Sequence, residues 1–265
     1  MLASVVKIPI GLEFYAQAHA GELDPTVPVT LGAEARTPGP VGISQFKDPV
    51  VASLRDLAYL MLTISDNVAT DTVTEAIGID RVNERLQAVG CHDTVVVETI
   101  QAMLDGVAHD LGYDTYDRLL AAQRGDSGPP ARAEATNPAR IDQCRALDPA
   151  QTSRTTARDA TRLLATIWAD TAASPTACAQ VRDTMAQQVT HRLGPAVPAG
   201  GTLAAKSGSL FGRVRNEIGV ITDPAGETYA VAVLTRAHRP FHAEAAINAA
   251  MATAARTALN ELQPR

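Results

Sequence analysis

The chain has 265 residues, 46% of them hydrophobic and 20% charged, with 23 basic against 29 acidic side chains and a formal net charge of −6. That composition suits one large globular domain or two packed subdomains and argues against wholesale disorder. The acidic balance and the scattered arginines exclude a phosphate-backbone binder, and no run approaches the roughly 20 apolar residues of a membrane span.

In chain order, Val5–Ala20 carries a broad apolar face and reads as a helix ended by Gly21, with Pro9 tolerated in its first turn. Residues 23–46, rich in Pro, Gly and Thr, predict an irregular excursion. Asp48–Leu62 has Val51, Leu54, Leu57, Ala58 and Met61 at helix spacing, and Val68–Ile77 and Arg81–Val89 predict two more helices. Met103–Gln123 reads as one amphipathic helix. Arg124–Pro149, with Gly125-Asp126-Ser127-Gly128-Pro129-Pro130 and few large apolar groups, predicts a long loop. Thr155–Trp168 resumes as a helix capped by its threonines. Strands follow at Leu203–Ser207, Glu217–Thr222 and Thr228–Thr235, the last two joined by the turn Asp223-Pro224-Ala225-Gly226. An alanine-rich helix over 243–262 closes the chain.

Three cysteines, Cys91, Cys144 and Cys178, lie far apart with no metal-ligand spacing, leaving one disulfide plus a free thiol or three unpaired thiols as the alternatives. The opening seven residues lack the layout of an export signal. Only three of the 23 basic residues are lysines: Lys7, Lys47 and Lys206. Arginine's permanently charged fork cannot accept a proton, so each lysine invites the question whether its amine is needed. Two of them stand inside short motifs, and Lys47 reads as a surface residue.

Ser4-Val5-Val6-Lys7 places a hydroxyl and an amine about one helical turn apart. A desolvated lysine there can lose its proton and take that of the serine, while the helix N-terminus favours negative charge beside it. Ser65-Asp66-Asn67 sits at a corner between two predicted helices, where a hydroxyl could relay a proton and an amide could hold a carbonyl. Lys206-Ser207-Gly208 ends a predicted strand, offering positive charge, a hydroxyl and a position where a ligand can approach the backbone. Each motif alone also fits a helix start, a helix cap or a strand running into a turn. Their joint occurrence in this order is what carries information.

Those triplets, together with Leu54-Arg55-Asp56-Leu57-Ala58-Tyr59-Leu60-Met61 before the second and Thr155-Thr156-Ala157-Arg158 later, resemble the penicillin-recognising serine hydrolases, closest to the class A β-lactamases. The resemblance covers 1–90 and 151–265 well and 91–150 poorly. It implies an α/β (α+β) fold of β-lactamase type, with an antiparallel sheet flanked by helices. A mostly helical subdomain would occupy 1–175, and 176–265 would form the α/β part. It further implies Ser4 as nucleophile, Lys7 as its proton acceptor, Ser65 as proton shuttle and Asn67 against the substrate's acylamide. Lys206 and Ser207 would hold a substrate carboxylate, aided by Arg215 or Arg213, with Gly208 beside them. The oxyanion hole would be the backbone N–H groups of Ser4 and Ser209. No cofactor or metal is implied, and the partner is a small β-lactam or an acyl-peptide or ester. Relatives are exported, which makes export the expectation here too.

Two departures stand out. The family sets a helix and two strands before its nucleophile, whereas Ser4 is the fourth residue; either the chain is shortened or those elements are absent, which would leave a three-stranded sheet with an open edge. The family's deacylating Glu-x-x-x-Asn segment is also missing, and the interval from Ser65 to Lys206 is several dozen residues longer than usual. Glu98 and Glu134 are the two candidates for that base. Without one the protein would acylate and stall. His191, His238 and His242 pair with no nucleophile in any motif, and Trp168 reads as core.

Overall fold

The computed structural model describes residues 1–32, 36–238 and 244–262. Its helices and strands run in the order α1 (Lys7–Ala20), β1 (Pro28–Leu31), β2 (Val50–Ser53), α2 (Leu54–Thr63), α3 (Asn67–Ile77), α4 (Ile79–Ala88), α5 (Ile100–Asp110), α6 (Tyr116–Arg124), α7 (Pro129–Ala135) and α8 (Pro138–Ile141). After these come α9 (Ala157–Trp168), α10 (Pro175–Met185), β3 (Thr202–Leu210), β4 (Val214–Thr222), β5 (Thr228–Arg236) and α11 (Glu244–Leu262).

Helix α1 is apolar nearly all round, as a helix at the centre of a core must be. Ile8, Ile10, Leu12 and Phe14 are all buried, and a 3-10 turn over Ala3–Val6 leads into it. The antiparallel sheet β3-β4-β5 packs beside it. Alternation along its strands sorts the side chains to two cores. Ile218, Val220, Ala230, Ala232 and Leu234 join the main core with α1, α2, α3, α9 and α10, while Leu203, Ala205, Ile221, Val231 and Val233 meet Met251, Ala252, Ala255 and Leu259 of α11. The β4–β5 turn is closed by the Asp223 carboxylate, which accepts from the Ala225 and Glu227 amides at 2.9 and 3.0 Å. The mixed α/β fold expected of a β-lactamase is therefore the fold observed, and among the described residues the main sheet has three strands.

Four local expectations are corrected. The excursion over 23–46 contains β1, which pairs with β2 in the register Pro28↔Ser53 to Leu31↔Val50. Helix α2 consequently starts at Leu54 rather than Asp48, capped by Ser53, whose Oγ accepts from the Asp56 amide at 3.1 Å. The single helix over 103–123 is two, broken at Gly112, where φ is +88° and an L side chain is disfavoured. The expected loop at 124–149 holds α7, α8 and a 3-10 turn at Arg145–Leu147. Helix α10 was not anticipated, although Ser174 followed by Pro175 is an N-cap signal.

The segment from α5 to the Arg145–Leu147 turn folds onto a core of its own, built from Val107, Leu111, Leu119, Ala135, Cys144 and Leu147 with Leu210 and Val214 of the sheet hairpin. Its two ends meet, because Val95 and Arg154 exchange backbone hydrogen bonds of 3.1 and 3.0 Å. All three cysteines are unpaired and buried; burial pushes the thiols of Cys91 and Cys144 up to about 11. Leu119→Ala should cost about 2–5 kcal/mol through the cavity it leaves, read as a fall in chemical-denaturation midpoint; an unchanged midpoint would show that this second core contributes nothing to stability.

Candidate active site

Ser4 lies on the 3-10 turn before α1, half-buried, immediately after Ala3, whose φ of +49° is unusual for a residue with a side chain. One turn on, Lys7 is fully buried. Its Nζ donates to the Ser65 carbonyl (2.7 Å), the Ser65 hydroxyl (3.0 Å) and Asn67 Oδ1 (2.8 Å), one acceptor for each ammonium proton. Burial lowers the Lys7 pKa to about 7, against the opposing pull of the Asp66 and Asp71 carboxylates. An amine so poised is neutral in a substantial fraction of molecules at neutral pH and can accept a proton.

The corner Ser65-Asp66-Asn67 is held from several sides. Ser65 has φ +68°. Asp66, buried, caps α3 by accepting from the Ala69 amide (3.0 Å) and anchors the preceding loop through the Ile43 amide (2.6 Å). Asn67 gives its amide to the Pro38 carbonyl at 2.8 Å. Both ends of its carboxamide are thus engaged within the protein.

The third motif arrives on β3. Lys206 is buried, and its Nζ reaches Gln188 Oε1 (3.2 Å) and the Ser207 carbonyl (3.1 Å). Burial, then the positive charges of Lys7 and Arg192, depress its pKa well below the usual lysine range. At Gly208 the strand backbone runs against the turn that carries Ser4: a Cβ there would meet the Ser4 amide nitrogen at 3.0 Å and Leu2 O at 3.1 Å. Asn216, across the ladder from Gly208, donates to the carbonyls of Met1 and Leu2 at 3.0 and 3.3 Å. These contacts fix the spacing between strand and turn.

Three residues around this strand carry no motif signal. Gln188 accepts from the Ser207 amide at 2.6 Å and from Lys206, and gives its own amide to Glu217 at 3.3 Å. Arg192 donates to the carbonyls of Gly208 and Asn216 and to Ser209 Oγ, each at 2.7 Å, and burial brings its pKa down to about 10. Glu217 is buried, accepts from the Leu193 amide, and has its pKa raised by burial. Lone polar residues in otherwise ordinary stretches give no reason to single them out.

Ser4, Asn67 and Ser209 line a cavity of about 720 Å³, together with Glu98, Lys47 and part of the α5–α6 segment. Lys47 is exposed, as expected of a surface residue, and stands at the rim of this cavity. Glu98 is half-buried there, its pKa raised chiefly by burial. Glu134 is elsewhere, exposed on α7 and ion-paired with Arg140 at 2.8 Å. Neither Arg213 nor Arg215 lines the cavity: Arg213 is clamped by Asp142, and Arg215 reaches Asn248 (2.6 Å) and Glu244 (3.0 Å) on α11. His191 and His238 are exposed, and His242 falls outside the described residues. Trp168 packs on the main core as expected. Among the described residues no cluster of three or more His, Cys, Asp or Glu could hold a metal ion, and no helix is long and apolar enough to cross a membrane.

The profile of the beta-lactamase enzyme family matches residues 1–262. The chain belongs to that family. Its sequence is 29% identical over 276 residues to the "Beta-lactamase regulatory protein BlaB" of Streptomyces cacaoi, covering 98% of this chain and 85% of the relative. The β-lactamase from Sphaerobacter thermophilus DSM 20745 superposes with a TM-score of 0.72 at 26% identity, over 100% of this chain and 84% of that one. PBP-A superposes with a TM-score of 0.72 at 20% identity over 98% and 81%, and a mutant of it has been solved as an acyl-enzyme complex with penicillin G. The chain is thus similar both to proteins named as β-lactamases and to one named for regulation.

Gly208→Ala tests the strand-to-turn contact. The added methyl must displace Ser4 or Leu2 backbone, so a destabilisation of about 1–3 kcal/mol is expected, visible as a lower melting temperature. A variant with wild-type stability would mean that the turn yields freely.

Proposed function

We propose that the protein is a serine hydrolase that opens β-lactam rings through an acyl-enzyme on Ser4. The observation that carries this reading is the buried Lys7 amine, brought near neutrality by burial and bonded to Ser65 and Asn67 one helical turn from Ser4.

In the reaction, Ser4 Oγ attacks the lactam carbonyl carbon and its proton passes to the neutral Lys7 amine. The tetrahedral oxygen is held by the backbone amides of Ser4 and Ser209; preorganised donors of this kind are worth about 3 kcal/mol each. As the C–N bond breaks, Ser65 gives its proton to the leaving nitrogen and recovers one from Lys7, to which it is already bonded. The substrate carboxylate is taken by Lys206 and Ser207, with Arg192 bracing the strand beneath through the Gly208 carbonyl and Ser209. Glu98, the carboxylate that shares the cavity with Ser4, then accepts a proton from the water that attacks the ester, and that proton returns to Ser4 Oγ as the acyl C–O bond breaks. Its raised pKa gives it the basicity for that task.

A second reading has one observation behind it, the relative whose name is regulatory. On that reading the same serine is acylated and the ester persists as a signal. A chromogenic cephalosporin separates the two: sustained turnover supports hydrolysis, and a burst of one equivalent supports the sensor.

Ser4→Ala should abolish the acyl adduct in intact-mass spectra, and survival of turnover would overturn both readings. Glu98→Gln should slow deacylation by about 10²–10⁴-fold, so that the adduct accumulates; unchanged turnover would remove Glu98 from the mechanism. The acylation rate should rise as pH climbs through about 7, the value to which burial brings Lys7, and level off above it, because only the unprotonated amine accepts. A pH profile with no limb near 7 would exclude Lys7 as the base.

A further inference from the structure

Arg213 and Asp142 take no part in the proton relay, and neither lines the cavity. Arg213 sits where the β3–β4 hairpin closes, its amide bonded to the Leu210 carbonyl at 2.9 Å and its carbonyl accepting from the Ala237 amide at 2.7 Å. Its side chain is buried, and Nε and Nη2 donate to the two carboxylate oxygens of Asp142. Nη1 is buried without a partner among the described residues. Asp142 stands at the C-terminal end of α8, where a helix favours a cation over a carboxylate, so its own helix does not account for it. A planar guanidinium held by both oxygens of a carboxylate is fixed in orientation as well as distance.

The hairpin that this pair grips carries Ser209. At the edge of the sheet on β3, the Ser207 amide is taken by Gln188. Amides two residues apart on a strand point the same way, so the Ser209 amide lies on that edge too, and Ser209 lines the cavity with Ser4. On one side Ser209 is fastened by Arg192, which donates to its Oγ at 2.7 Å. On the other the chain passes through Leu210 into a tight turn at Phe211 and Gly212, with φ of +45° and +64°. An aromatic residue is strained at such a φ, so the turn needs outside support. The second core supplies it: Leu210 and Val214 are buried there, and Phe211 packs on it together with Ile141, the neighbour of Asp142. Ala3, the residue before Ser4, packs on the same core. Each amide assigned to the oxyanion hole thus has a chain neighbour seated on one core, and the Arg213–Asp142 pair ties that core to the hairpin.

We infer that Asp142 is a positioning residue for acylation: its two-pronged hold on Arg213 sets the β3–β4 hairpin so that the Ser209 amide and the Ser4 amide point at one oxygen. The inference rests on the Ser4 acyl-enzyme reading, and it gives Asp142 an effect on rate without contact with the substrate. One oxyanion-hole donor is worth about 10²–10³-fold in rate, and a misplacement of about 1 Å can cost about 10²-fold.

The test compares a cephalosporin with its β-thiolactam counterpart, whose sulfur is a poor hydrogen-bond acceptor, by stopped-flow acylation of the full chain. Asp142→Asn should lower the limiting acylation rate constant of the oxygen compound about 10–100-fold, with its apparent dissociation constant changed by less than about twofold. The sulfur compound should slow far less, so the oxygen-to-sulfur rate ratio falls about tenfold. A role in folding alone would lower the melting temperature and leave that ratio where it was. Arg213→Lys keeps the opposite charges but loses the fork, and should lower the ratio about threefold. An unchanged ratio in both variants, or a loss shared equally by the two compounds, overturns the positioning role and leaves the Ser4 reading standing. Variants too unstable to assay would mark the pair as structural and overturn the role as well. If neither compound acylates Ser4 in the unaltered protein, the Ser4 reading fails and the positioning role falls with it.

Discussion

A lysine ammonium taken out of water costs several kcal/mol unless oxygen acceptors replace its hydration. Lys7 is in that position, and the architecture around it supplies those acceptors. Ser65 offers its carbonyl and its hydroxyl, which requires the corner residue to adopt φ +68°. Asn67 turns its oxygen to the amine, and its nitrogen then binds Pro38. Asp66 lies behind, fixing the loop at Ile43, and Gly42 must be glycine because a Cβ would lie 2.1 Å from the Asp66 carboxylate. The same acceptors that make burial tolerable hold Lys7, Ser65 and Asn67 in the arrangement that the proposed proton relay uses.

A second buried lysine sits near the first, and like charges at close range disfavour each other's protonation. Lys206 has its pKa lowered first by burial and then by Lys7 and Arg192, with Glu217 opposing them. Gln188 gives this arrangement its geometry, spanning Lys206, the Ser207 amide and Glu217 with a single carboxamide. A neutral bridge joins the groups without adding another charge to a crowded site. A substrate carboxylate arriving there would relieve the excess of positive charge, so binding energy and catalytic readiness share one cause.

The three triplets were legible because the chemistry expected of them restricts residue type: a lysine amine can lose its proton where an arginine cannot, and a chain with three lysines makes two such placements conspicuous. The sheet and the long amphipathic helices were legible from periodicity. The strands β1 and β2 were not, since four half-exposed residues whose partners lie about twenty positions away carry no local pattern. The helices of 129–141 were hidden by the Gly- and Pro-rich stretch 125–130 that precedes them and by a core closed by small groups such as Ala135 and Ala146, which leave no stripe of large apolar residues to read. Gln188, Arg192, Glu217 and Asp71 matter through what the fold brings to them. Asp71 accepts from Thr37 Oγ1 at 2.7 Å and from the amides of Ile100 and Gln101 at 2.7 and 2.8 Å, which no spacing rule announces.

Those Asp71 bonds also show how the segment following Val95 can vary without disturbing the chemistry. It is attached to the rest of the molecule at a few defined places: the first amides of α5 on Asp71, the Val95–Arg154 bridge, and the Arg213–Asp142 pair. The Ser153 carbonyl, beside that bridge, accepts from the Leu2 amide at 2.9 Å, so the closure of the segment abuts the turn that carries Ser4. Lys7 stands on α1 in the main core, while the cavity wall formed by Met103, Tyr116 and Phe211 packs on the second core. Residues with no shared partners contribute nearly additively. Changes in α5 and α6 can therefore reshape the cavity while Lys7 and Ser65 keep their positions, provided the attachments hold.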